Sequence, residues 1–372
     1  MSPKLSYITL VGFTHRLGGG GGNIQFDNLI PFWESSGTKV TILESVKINK
    51  FNLNSVLIST LHSIFFKTKG LNEVNQSDII ISESPYPPDL ILAFRLSRKY
   101  TKPLTVYFHH ITPDISIYPF RRGILRVFLN VIYTSLALSL VKRFRIPIFL
   151  DNPNTLDRSQ IAVFPNLTAL PKKKLNYATI KPLLEMDCDI CYIGRIENHK
   201  GGEDIIQVVR SLKNKYSLNP RVTIAGKGES KYTARIKKMI DKFGVSGNFE
   251  MSGYISEVQK FELLKRSKVF LFLSYEEGWA ISVMEAASVG TPIVSYSLPA
   301  YYYLRGNYLS VPLGDVQACA ERLIQVFNDY ALAKDIAIRA KKSVETFTYD
   351  FIARQQLIFL KKIIKDFSES DI

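Results

Sequence analysis

Apolar runs that do not alternate with polar residues recur through the second half of the chain. CDICYIG (188–194), RVTIAG (221–226) and KVFLFLS (268–274) are the longest, with NFEMSGY and PIVSY as shorter ones. Segments of helical period lie between them: GEDIIQVVRSL, KYTARIKKMIDKFG closed by Gly244, EVQKFELLKRS, and ISVMEAASV with Gly290 as its stop. Strands apolar on both faces belong to a parallel sheet covered by helices on each side, and strand–helix alternation builds such a sheet. The first half repeats the pattern less regularly. LSYITLVG, TKVTILE, DIIISES, PLTVYF and IPIFL are its strands, with Gly37 ending the helix before KVTIL.

The pattern predicts two doubly wound, Rossmann-like α/β domains in tandem, because 372 residues exceed what one hydrophobic core holds. The segment LPKKKLNYATIKPLLEMD, with Pro171, Pro182 and four lysines, reads as the linker. The expected division is a first domain over 1–175, a second over 186–347, and a terminal helix over 348–372 carried by TYDFIARQQLIFLKKIIKDF.

Composition narrows the setting. An odd set of three cysteines makes no disulfide framework and fits a reducing compartment. Cys188 and Cys191 form a C-x-x-C, but within an apolar run and without a second pair, so they read as strand residues and not as a zinc site. MSPKLSYITLVGF is followed by HRLGGGGG and not by a small-residue cleavage site, so it reads as a first strand. No apolar stretch is long enough to span a bilayer; VFLNVIYTSLALSLV (127–141), which comes near, is too short. Net charge is +15 and uneven: residues 1–185 hold 22 Lys/Arg against 11 Asp/Glu, the remainder 26 against 22. The first half therefore expects an anionic partner, nucleic acid or a membrane surface. No nucleic-acid-binding motif is present. RRGILRVFLNVIYTSLALSLVKRFR (121–145) and FNLNSVLISTLHSIFFKTKG (51–70) are apolar with flanking cations, the composition of helices that lie in a membrane interface.

In parallel sheets ligands gather at the carboxyl ends of strands. After CDICYIG comes RIENHKGG, with Arg195 and Lys200 beside a helix start, an arrangement suited to a diphosphate. After RVTIA comes GKGES, whose Gly226 allows close backbone approach. After KVFLFLS comes YEEGWAIS, then a helix carrying a carboxylate, Glu285, inside an apolar run. Glu277 and Glu285 can face one crevice, and an ionised carboxylate accepts the two hydrogen bonds that a vicinal diol donates. A sugar or ribose diol, together with the cations and the helix start, would compensate the burial of Glu285.

GRIENHKG, IAGKGES and EEGWAISVMEAASVGTPIV, in this order, resemble the GT-B glycosyltransferases of family 4, whose motif is Glu, seven residues, Glu. The similarity extends to GGGGGNIQFDNLIPFWESSGTKVTIL, to AVFPNL and to the trailing helix. It implies two Rossmann-like domains in the GT-B arrangement, the last helix trailing back toward the first domain. It also implies that Arg195 and Lys200 hold a nucleotide diphosphate, Glu285 its ribose, and Glu277 the donor sugar. Backbone of Gly278, Trp279, Ala280 and Ile281 would lie near sugar and phosphate, with Gly19, Gly20 and Gly21 approaching from the first domain. His109 matches a histidine near the donor sugar, with His110 as the alternative. The usual E-G-F-G-L-P is EGWAIS here, so Ala280 stands for a glycine and Ser282 for a proline. Asn166-Leu167 stands for an Asn-Gly.

The implied activity is a retaining, metal-independent transfer of sugar from a nucleotide diphosphate sugar, with no cofactor and either a front-side or a covalent mechanism. Joined to the basic, apolar first half, it leads to a lipid-linked glycan or glycolipid acceptor and a cytoplasmic enzyme peripheral on the inner face of the cell membrane, with no nucleic-acid partner. The alternatives are an epimerase or phosphorylase on the same fold, or a basic nucleic-acid-binding protein.

Overall fold

The computed structural model describes residues 5–12, 21–44, 53–66, 71–109, 124–151, 161–166, 170 and 186–370. The chain divides into two compact units, Met1–Pro171 with Phe347–Ile372, and Lys172–Thr346. Among the described residues each contains one six-stranded sheet.

The first unit runs β1 (Tyr7–Gly12), α1 (Gly21–Ser35), β2 (Lys39–Glu44), α2 (Leu53–Phe65), α3 (Asn72–Gln76), β3 (Ile79–Ser82), α4 (Pro87–Tyr100), β4 (Leu104–Phe108), α5 (Ile124–Arg143), β5 (Ile148–Leu150) and β6 (Val163–Pro165). Its strands lie in the order β2-β1-β3-β4-β5-β6, all parallel. β1, β3 and β4 are buried along their whole length, which is why their sequences do not alternate. One core joins Leu90, Leu92 and Leu96 of α4 and Ala137 and Val141 of α5 to Val11, Ile80 and Val106 of the sheet.

The second unit runs β7 (Cys188–Ile193), α6 (Gly202–Tyr216), β8 (Val222–Ala225), α7 (Ser230–Lys242), β9 (Phe249–Gly253), α8 (Glu257–Lys265), β10 (Ser267–Phe272), α9 (Ile281–Val289), β11 (Ile293–Tyr296), β12 (Leu309–Val311), α10 (Val316–Asn328) and α11 (Tyr330–Val344). The order is β12-β11-β10-β7-β8-β9, again all parallel. The short edge strand β12 was not foreseen; three residues, Leu309 to Val311, are too few for a period. Cys188, Cys191 and Cys319 are free thiols in the core.

The last helix, α12 (Tyr349–Ser370), belongs to the first unit. Tyr349, Ile352, Ala353, Leu360 and Ile363 share a core with Phe26, Leu29 and Trp33 of α1, and the Phe32 and Tyr349 rings stack at 5.9 Å. The apolar period of α12 is thus explained by a partner helix at the other end of the sequence. No helix among the described residues is long and apolar enough to cross a membrane.

Candidate functional site

In the second unit the chain winds outward from β7 through β8 to β9, then crosses back to lay β10 on the other edge of β7. The strand order reverses between β7 and β10, and in such sheets ligands bind at the carboxyl ends of the strands where it reverses. The loops leaving these two strands carry Lys200 and Glu277. Lys200 Nζ donates to Glu277 Oε1 at 2.6 Å, and the two side chains are only 12% and 10% exposed. In this low-exposure setting water and salt screen their attraction less than at the surface.

Local structure makes that meeting possible. Asn198–Lys200 form one 3-10 turn, and Gly201 follows at φ 72°. A Cβ at Gly201 would come within 1.9 Å of the Leu273 carbonyl oxygen, so the turn can press against the end of β10 only with glycine there. The β10 loop is tied to the same turn: Tyr275 N donates to the His199 carbonyl at 2.9 Å, and Ser274 Oγ to the Glu276 carbonyl at 3.0 Å. Behind it, Asp204 in the first turn of α6 is buried and accepts from Tyr275 Oη (2.6 Å) and Tyr296 Oη (2.8 Å).

Arg195 follows β7, as its motif requires, but its side chain is 60% exposed and pairs with Glu197 at 2.7 Å. Tyr192 Oη donates to the Arg195 carbonyl and holds the backbone there. Gly226, at φ 147°, closes β8 against β7: a Cβ would lie 1.8 Å from the Gly194 carbonyl oxygen.

Glu285 is buried on α9, and its compensating cation is Lys260 of α8, whose Nζ donates to Glu285 Oε1 at 2.5 Å. Burial raises the Glu285 pKa, and the charge and hydrogen bond of Lys260 oppose that rise. Lys260 was not singled out from sequence, since a lysine on an amphipathic helix carries no signal of its own. Trp279 turns its ring away into aromatic packing. It stacks on Tyr303 at 4.9 Å, meets Tyr302 edge-on, and donates Nε1–H to Met284 Sδ at 3.4 Å. Ala280 sits at φ 56°, ψ 67°, in the left-handed region, where a side chain costs about 1–2 kcal/mol. Its carbonyl accepts from Val283 N, Met284 N and Tyr303 Oη. The glycine usual at this place in the resembled pattern is therefore a conformational requirement that alanine meets under strain. Gly278 lies in the loop and Ile281 opens α9, whose first amides have no partner inside the helix.

In the first unit, His109, Glu83, Asp151 and Asn166 gather at the carboxyl ends of β4, β3, β5 and β6. His109 Nε2 donates to the Glu83 carbonyl at 3.2 Å, and Nδ1 accepts from Asn166 Nδ2 at 3.3 Å. Asn166 Nδ2 also donates to Asp151 Oδ1, which lies 4.0 Å from His109 Nδ1. Burial pushes the His109 pKa down from 6.5 to about 4, against a smaller upward pull from its bond to Glu83. The imidazole is thus neutral at pH 7. Burial raises the Asp151 carboxyl, and the Asn166 bond lowers it. The Glu83 carboxylate lies over Gly12, where a Cβ would be 1.8 Å from Oε2. Glu83 and Asp151 were missed from sequence, where each reads as a loop acid. Gly21 opens α1, while Gly19, Gly20 and His110 lie outside the described residues.

Against known families, residues 177–343 match the profile of the glycosyl transferases group 1. This segment is a group 1 glycosyltransferase domain. The group 1 domain holds the Lys200–Glu277 pair, the Lys260–Glu285 pair, Arg195 and Gly226 within its matched span. Among curated proteins, the N,N'-diacetylbacillosaminyl-diphospho-undecaprenol alpha-1,3-N-acetylgalactosaminyltransferase of Campylobacter jejuni is 25% identical over 210 residues, 55% of this chain and 52% of that protein. The chain spans about half the length, or less, of the curated relatives it matches. Among solved structures, sucrose-phosphate synthase from Thermosynechococcus elongatus superposes with a TM-score of 0.75 at 14% identity, covering 97% of this chain and all of that one. Anabaena HepE in complex with UDP and glucose superposes at 0.69 and 14% identity, covering 96% and 100%. At such identities the likeness establishes the fold, which is GT-B with two Rossmann-like domains.

Proposed function

We propose that the protein is a retaining glycosyltransferase that moves a sugar from a nucleotide diphosphate sugar to a lipid-linked glycan or glycolipid at the cytoplasmic face of a membrane. The observation that carries this reading is the Lys200–Glu277 pair at the point where the strand order reverses. A cation and a carboxylate in contact there suit a donor in which a diphosphate adjoins a sugar. In the reaction the bond from the anomeric carbon to the diphosphate oxygen breaks with its electron pair leaving on the diphosphate, a bond to the acceptor oxygen forms, and the acceptor's hydroxyl proton passes in the net balance to the released diphosphate or to solvent. Negative charge grows on the departing diphosphate, and Lys200, Arg195 and the first amides of α9 stabilise it. Glu277 accepts from hydroxyls of the donor sugar, and Glu285 from the ribose diol. These charges act without a metal. The UDP complex of the HepE neighbour supports a nucleotide donor, and the undecaprenol-linked substrate named for the Campylobacter relative supports a lipid-linked acceptor.

The test is a thermal-shift panel of UDP-, GDP- and ADP-sugars, followed by turnover. A donor at 100 times its dissociation constant stabilises by about 2.7 kcal/mol. Arg195→Ala and Lys200→Ala each reduce transfer by roughly 10²-fold or more at unchanged fold, and chelators leave wild-type turnover intact. Losses below about tenfold in both variants overturn the diphosphate assignment.

A further inference from the structure

Two helices of the first unit leave apolar side chains in solvent on a regular spacing. On α2, Ile58, Leu61 and Phe65 follow one another at three and four residues, and Phe65 is 76% exposed. On α5, Phe128, Ile132 and Leu136 repeat every four residues, and Leu136 is 61% exposed. Such spacings place each triplet on one helix face.

Both helices pack on α4. Arg95 of α4 donates to the Ser63 and Phe66 carbonyls at the end of α2, Phe94 meets Phe144 just beyond α5, and Ala137 and Val141 of α5 share the core of Leu92 and Ala93. They therefore belong to one helical layer of the same sheet.

Charge identifies what covers this layer. Neither α2 nor α5 contains a single Asp or Glu. Lys142, Arg143 and Arg145 stand exposed around the exposed ring of Phe144 at the end of α5. An ordinary solvent face mixes both signs. A second copy of this face would bring cations against cations with no carboxylate between them.

We propose that the outward face of α2 and α5 docks the protein onto an anionic lipid bilayer, the apolar triplets entering the headgroup boundary and Lys142, Arg143 and Arg145 binding lipid phosphates. The inference deepens the lipid-acceptor reading above and rests on it for the purpose of docking.

Co-sedimentation of the full chain tests it, with vesicles of phosphatidylcholine alone or mixed with phosphatidylglycerol. The wild type binds the anionic vesicles at least tenfold more tightly than the neutral ones, and high salt releases it. Phe65→Ser/Phe128→Ser/Leu136→Ser lowers anionic-vesicle binding at least tenfold, and Lys142→Glu/Arg143→Glu/Arg145→Glu reduces it to the neutral level. Both triple variants keep the wild-type circular dichroism and the wild-type thermal shift with nucleotide. Wild-type binding by the serine variant overturns the proposal, as does failure of the wild type to bind either vesicle. A vesicle-free dimer that the serine variant splits also overturns it and marks the face as a protein interface. Transfer to a detergent-solubilised lipid acceptor, measured in parallel, separates the two readings. Docking lost with transfer retained sinks only the docking face, and the converse sinks only the lipid acceptor.

Discussion

Lys200 and Glu277 stand 77 residues apart in sequence and 2.6 Å apart in space, and neither is exposed enough for water to replace its partner. Glu285 is still more deeply placed and depends on Lys260. The two pairs divide the proposed donor between them, so their variants separate binding from turnover. Glu285→Gln weakens binding of the free nucleotide, because a neutral amide replaces the charged acceptor of the ribose diol. Glu277→Gln lowers turnover of the sugar nucleotide and leaves free-nucleotide binding near the wild-type value. Isothermal titration with nucleotide, beside steady-state kinetics, reads both; equal nucleotide affinities for the two variants and the wild type would remove the ribose role. Lys260→Met strands a buried carboxylate and costs about 3 kcal/mol of stability by denaturant titration, most of it recovered in Lys260→Met/Glu285→Gln.

The element that matters most is the loop between β10 and α9, since it carries Glu277 and enters the helix through left-handed Ala280. Its position is held by one buried carboxylate, Asp204, that accepts from two tyrosines. Tyr275 lies on the loop and Tyr296 at the end of β11. Removing either hydroxyl leaves the same acceptor short of one bond, at about 1.5–3 kcal/mol for a bond to a charged group. Tyr275→Phe and Tyr296→Phe therefore lower the melting temperature alike, but only Tyr275→Phe lowers kcat/KM, by about tenfold, because only it frees the loop under Glu277. Equal activity losses in both variants would mean that the cluster supports the domain as a whole and not the loop.

On the scale of the molecule, two units with separate cores and separate buried ionisable groups answer different perturbations. Calorimetry of the full chain should resolve two transitions. Nucleotide raises only that of the second unit. Acid acts on the first through His109, whose folded pKa of about 4 lies below the ordinary 6.5. As the pH falls through 6.5 the unfolded chain takes the proton first, so stability drains away until the folded imidazole also titrates near 4. By pH 5 the loss is about 2 kcal/mol, an upper bound because 27% of the side chain meets water. Asp151, with a raised carboxyl pKa, works in the opposite direction, so the measurement is the difference between wild type and His109→Gln. Identical pH profiles for the two would rule out a buried neutral histidine.

Much of this architecture was legible along the chain. The uninterrupted apolar runs of β7, β8 and β10 declared a parallel sheet, because burial on both faces leaves no polar position for the strand to show. Gly226 and the charges at 195, 200, 277 and 285 marked the loops and the helix expected to meet an anion and a diol. Neighbours in space were not legible. That β10 returns to the far edge of β7, so that Lys200 faces Glu277, depends on strand order. Strand order follows from how helices share the two faces of the sheet. Lys260, the partner that makes the buried charge of Glu285 tolerable, comes from a helix that looks ordinary alone, and that Asn166 serves Asp151 and His109 is visible only in space. Periodicity is a property of consecutive residues, whereas desolvation and its compensation are set by whatever the fold brings within about 3 Å of a charge.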